Sequence, residues 1–76
     1  MDGFRLSPEG RARYRRMRLD LDTPTSRMYG YEILDCLYER GPETLGDITR
    51  DTGLSWPQVW DRISTLLVHG YIEGLA

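Results

Sequence analysis

Gly53 and Leu54 alone separate two stretches that each open on a helix-capping side chain. Thr44 stands three residues before Asp47, and Ser55 stands three before Gln58. Both pairs fit a capping box, in which the N-cap and N3 residues bond each other's side chain and backbone. Pro57 falls in the first turn of the second stretch, where its missing N–H costs little. Leu45 and Ile48 face inward on the first stretch, and Val59, Ile63 and Leu66 form the buried stripe of the second. Asp51-Thr52-Gly53 is expected to break the first helix, with Gly53 supplying a positive φ. Two helices joined this tightly must cross steeply, with Leu54 plugging the angle and the second helix projecting. Gly70 ends that helix, and Tyr71-Ile72 reads as a short strand.

Upstream, a helix is expected from Thr23-Pro24 or Ser26 to Arg40, with Met28, Tyr31, Ile33, Leu34, Leu37 and Tyr38 as its apolar stripe. Gly41-Pro42 stops it. Ser7-Pro8-Glu9 suits the start of a first helix, over about 8–20. Gly10, Tyr14, Met17 and Leu21 share one face of it. Arg13, Arg15 and Arg16 point away, with Arg11 and Arg18 at the edges. Asp20 to Ser26 is the linker candidate, dividing a basic arm, 1–22, from a helical domain, 23–76.

Seventy-six residues make one domain, and a core this small gains from dimerisation or an added helix. No apolar run approaches the roughly 18 residues of a membrane span, and Met1 to Leu6 lacks the apolar stretch of a secretory leader. The net charge of −2 hides an asymmetry: residues 1–27 carry +3 and residues 28–76 carry −5. All ten basic residues are arginine, which forks onto phosphate and base edges better than lysine. One cysteine, Cys36, and one histidine, His69, give no metal-ligand spacing. No metal and no cofactor are expected. Cys36 reads as a small buried side chain, and His69 as a residue near a helix C-terminus, where it complements the dipole.

The run Ile33-Leu34, Leu37, Gly41-Pro42, Thr44-Leu45, Ile48, Thr52-Gly53-Leu54-Ser55, Val59, Ile63, Leu66 and Gly70-Tyr71-Ile72 resembles the winged helix-turn-helix domains of bacterial and phage transcriptional regulators. The resemblance covers residues 28–72. It implies a mostly α fold: a winged helix-turn-helix-like three-helix core, the N-terminal basic helix, and at most a minimal β-hairpin. It assigns 56–69 as the recognition helix and pairs short strands near Thr44 and at 71–74. A full wing needs a second strand after Ile72, and only four residues follow, so the wing is expected to be missing or truncated.

On the recognition helix, rotation from Val59 places Pro57, Gln58, Asp61, Ser64, Thr65 and Val68 outward, with Arg62 at the edge and Ser55 at the start. Gln58 suits adenine and Arg62 suits guanine, while Asp61 is favourable only toward cytosine or a nearby arginine. Trp56 and Trp60 lie one turn apart beside Ile63 and Leu67. The leading expectation is that they extend the core, under the N-terminal helix. The alternatives are an exposed patch for a protein partner or insertion into nucleic acid. Arg11, Arg13, Arg15, Arg16 and Arg18 form either a solvated face, a phosphate-contacting face, or a surface for an acidic protein or membrane. Asp2, Glu9 and Asp20 argue against a mitochondrial targeting helix.

The first functional reading is a DNA-binding regulator on double-stranded DNA, as a homodimer on a palindromic site, in the cytoplasm. Its rival is a protein-interaction module on the same fold, using Trp56, Trp60 and the acidic surface. No nucleophile motif, phosphate-cradling loop or pocket-forming carboxylate pair is visible, so neither an enzyme nor a small-molecule substrate is expected.

Overall fold

The computed structural model describes residues 3–19 and 30–75. Its elements run β1 (Gly3–Leu6), α1 (Pro8–Leu19), α2 (Tyr31–Arg40), α3 (Leu45–Thr52), α4 (Trp56–Val68) and β2 (Ile72–Leu75). Among the described residues the fold is mostly α with one small antiparallel sheet, as the winged helix-turn-helix resemblance implies.

Local sequence explains the helix ends. The Ser7 side chain accepts from the Gly10 N–H at 3.0 Å and so caps α1, with Pro8 in its first position. Both capping boxes form. Asp47 N–H reaches Thr44 Oγ1 at 3.1 Å while Thr44 N–H reaches Asp47 Oδ2 at 3.2 Å. Ser55 and Gln58 make the same exchange at 3.3 and 2.9 Å. Gly53, at φ +72, closes α3 in the left-handed region. Asp51 and Thr52 belong to the last turn of α3 rather than to the break.

Two expectations need correction. The second helix starts at Tyr31, not at Thr23 or Ser26, because Gly30 before it adopts φ +88. A Cβ at Gly30 would also lie 3.0 Å from Leu66, so the chain passes close to α4 there. Met28, Leu21 and the division at 22–23 lie outside the described residues.

The second correction concerns the strands. Residues near Thr44 and β2 do not pair with each other. β1 lies between them: it pairs antiparallel with β2, in register Phe4↔Gly74 and Leu6↔Ile72, and its other edge bridges Phe4 to Glu43. Phe4 N–H donates to Glu43 O at 2.8 Å, and Glu43 N–H returns to Phe4 O at 3.0 Å. The N-terminal strand thus stands between the Glu43 bridge and β2. Phe4 and Leu6 are buried and Arg5 is exposed, the alternation of a half-buried strand. The Arg5 guanidinium lies 3.8 Å from the Glu73 carboxylate directly opposite.

Among the described residues one cluster forms the core. Phe4 and Leu6 of β1, Tyr14 and Met17 of α1, Ile33, Leu34 and Leu37 of α2, and Ile48 of α3 meet Val59, Ile63 and Leu66 of α4 and Ile72 of β2. Leu54 packs half-buried against it, between α3 and α4. The basic N-terminal segment therefore shares its apolar side chains with the helix-turn-helix unit.

Candidate nucleic-acid interface

Helix α4 buries only Val59, Ile63 and Leu66, which fall within one narrow stripe at helical spacing. Its remaining surface divides by rotation. Pro57, Asp61, Ser64 and Val68 lie opposite the stripe and are exposed. Gln58, Arg62 and Thr65 form one flank, with Gln58 exposed and the other two half-buried. Trp56, Trp60 and Leu67 form the other.

The tryptophans are the chief correction to the expected site. Trp56 is 54% exposed and Trp60 52%. They do not extend the core, and Ile63, their supposed neighbour, turns fully inward. Both side chains are exposed, as a patch for a protein partner and insertion into nucleic acid would each require. Val68, at 85% exposed, continues an apolar margin toward the helix end.

Hydrogen bonding limits what the polar flank offers. Gln58 Oε1 accepts from Ser55 N–H in the capping box, so only its amide N–H groups face outward unengaged by that box. A two-pronged Gln–adenine pairing needs donor and acceptor together, and so would open the cap. Arg62 Nη1 donates to the Gln58 carbonyl at 3.2 Å. Ser64 and Thr65 hydroxyls donate back to Trp60 O and Asp61 O.

The arginines of α1 fall into three environments. Arg11 lies 5.4 Å from the centre of the Tyr38 ring and Arg18 5.7 Å from that of Tyr14. Tyr14 in turn stacks on Tyr31 at 5.6 Å and meets Tyr38 at 4.6 Å. This tyrosine group, from α1 and α2, fixes the rotation of the basic helix. Arg13, expected to point away, is half-buried. Arg15 and Arg16 are exposed, and their side chains make no ion pair or hydrogen bond among the described residues.

Phe4 escaped the sequence reading, whereas Tyr14 and Gly10 lie on the inward face of α1 as expected and only their partners were not legible. Phe4 holds β1 between β2 and Glu43. Tyr14 hydroxyl donates to Asp35 and locks α1 to α2. Gly10 lets α1 touch the start of β2, since a Cβ there would lie 1.8 Å from Tyr71 O. A buried Phe in a strand of four, and a Gly on an apolar helix face, were the only local signals. No described helix is long and apolar enough to cross a membrane.

A family model described as the IclR helix-turn-helix domain matches residues 30–75, which span α2, α3, α4 and β2. No curated protein and no solved structure matches the chain.

Proposed function

The chain belongs to the IclR helix-turn-helix family, winged helix-turn-helix DNA-binding domains of bacterial transcriptional regulators, and on that premise we propose that the outer face of α4 enters the major groove while α1 grips flanking phosphates. Membership makes this a DNA-binding regulatory domain. The observation that supports this placement is the narrowness of the buried stripe on α4. With only Val59, Ile63 and Leu66 buried, more than half its circumference is available to a groove about 12 Å wide.

In this reading Ser55, Pro57, Gln58, Asp61, Arg62 and Thr65 meet base edges or the adjoining backbone. Ser55 and Gln58 act mainly as donors, because their oxygens already accept in the cap. Asp61 selects for cytosine, whose amino group donates to it. Arg15 and Arg16 supply phosphate contacts, with Arg11, Arg13 and Arg18 in support, giving affinity without sequence information. Two copies on a palindromic site suit a domain this small. The regulator is of prokaryotic or phage type.

The test is anisotropy of a labelled duplex over a salt series. Affinity falls steeply as salt rises, and Arg15→Ala with Arg16→Ala lowers it for all sequences alike, reducing the salt slope by about 2. Affinity indifferent to salt contradicts the reading.

A second reading is favoured by the half-exposed tryptophans. The flank of Trp56, Trp60 and Leu67 suits a protein partner, since aromatic side chains concentrate binding energy at interfaces. It predicts that Trp60→Ala abolishes partner binding and leaves DNA affinity unchanged.

A further inference from the structure

Three side chains far apart in sequence converge beneath the α2–α3 turn. Cys36 comes from α2, Glu43 from the turn and Asp51 from the last turn of α3. One ligand atom of each, the Cys36 sulfur and a carboxylate oxygen of the other two, lies within 4.8 Å of both others. Metal-motif spacing could not show this, because residues 36, 43 and 51 meet only once α3 folds back on α2.

Their environment is unusual for groups of this kind. Glu43 Oε1 and Asp51 Oδ2 are buried and receive no hydrogen bond. Independently of that acidic pair, the Cys36 side chain faces them while only 8% exposed, and its thiol has no hydrogen-bond partner among the described residues. Buried acceptors without donors are costly. Burial and the Asp51 carboxylate push Glu43 up to about 7, and burial pushes the Cys36 thiol up to about 11.

Two guanidiniums approach from outside. Arg40 lies 3.5 Å from Asp51 Oδ2 and Arg50 3.6 Å from Asp51 Oδ1, and both are mostly exposed. They can withdraw into water without disturbing the core. A cleft of about 430 Å³, lined by Tyr31, Glu32, Asp35, Cys36, Asp51 and Thr52, reaches two of the three donors and provides a way in.

We propose that Cys36, Glu43 and Asp51 bind one divalent cation of the zinc class, with water from the cleft as fourth ligand. One thiolate and two carboxylates suit an ion of borderline softness, not calcium or magnesium. Around zinc the three atoms stand about 3.3–3.6 Å apart, as bond lengths of about 2.0–2.3 Å require. From separations within 4.8 Å, reaching that spacing requires the atoms to draw together by about 1 Å. Bound there, the ion ties α3 to α2, and so sets the base from which α4 projects.

The experiment is a cobalt titration of the full chain under reducing conditions, with no DNA present, so its outcome is independent of the groove-binding reading. A thiolate-to-cobalt charge-transfer band grows to one equivalent and zinc removes it. Cys36→Ser abolishes the band, and Glu43→Gln weakens binding by about tenfold or more. Should Cys36→Ser fail to fold, alkylation of wild-type Cys36, the only thiol, decides the matter: zinc slows it if sulfur is a ligand. A wild-type titration without the band, a band that survives Cys36→Ser, or alkylation indifferent to zinc overturns the proposal.

Discussion

The hydroxyl of Tyr14 donates to a carboxylate oxygen of Asp35, joining α1 to α2 across 21 positions of sequence. Tyr14 is 1% exposed, so this polar end is satisfied inside the interface. Burial and Asp35 together raise the Tyr14 pKa well above the ordinary phenol value. Tyr14→Phe removes the donor and leaves Asp35 to find water. The expected loss is about 1.5–3 kcal/mol, the range for a hydrogen bond to a charged group. Urea denaturation of the two proteins measures it, and equal midpoints would contradict the role given to this bond.

Gly10 is the point where α1 meets the start of β2. A Cβ there would sit 1.8 Å from the Tyr71 carbonyl oxygen, which is backbone and cannot turn aside. Gly10→Ala is expected to cost about 3 kcal/mol or more, the upper part of the range for overpacking. Gly53 offers a control, since nothing lies near its missing Cβ and only its φ of +72 resists substitution. Gly53→Asn, a residue that tolerates this region, is expected to cost less than Gly10→Ala in the same denaturation series.

The Thr44–Asp47 capping box carries a pH dependence of fixed sign. Bonds from Thr44 and the nearby Arg50 hold the Asp47 pKa below its usual value. A carboxyl depressed in the folded state stabilises the fold above its unfolded pKa, and that contribution is lost as pH falls through the folded value. Wild type is therefore expected to melt above Asp47→Asn near neutral pH. The gap closes on acidification below about pH 4. A gap that persists in acid would show that the carboxylate charge is not what matters.

How much of this was legible beforehand depended on range. Thr44, Asp47, Ser55 and Gln58 act within four residues of chain, so their capping boxes were readable from identity and spacing. Gly53 and Pro57 were legible for the same reason. β1 was not: Gly3–Leu6 is four residues long, and its partners, Glu43 and Ile72–Leu75, lie about 40 and 70 residues away. The start of α2 was misplaced because the apolar stripe continues through Met28, which hides the break that Gly30 makes with its positive φ. Trp56 and Trp60 were misassigned because they sit only a flank away from Ile63 on the helix wheel. The core is already filled there by Val59, Ile63 and Leu66, leaving no described element to cover two indoles. The outward positions of α4 followed from rotation alone. The engagement of Gln58 in its own cap, which limits its reading of a base, needed the hydrogen bonds.

Both tryptophans of the chain lie on α4, so their emission reports on that helix alone. The most direct measurement is tryptophan fluorescence during titration with duplex DNA, alongside anisotropy of the labelled duplex. If α4 lies in the groove, emission changes in step with anisotropy, and added salt reverses both. A duplex that binds fully while the emission stays unchanged would mean that DNA is held elsewhere and that α4 is not the reading element.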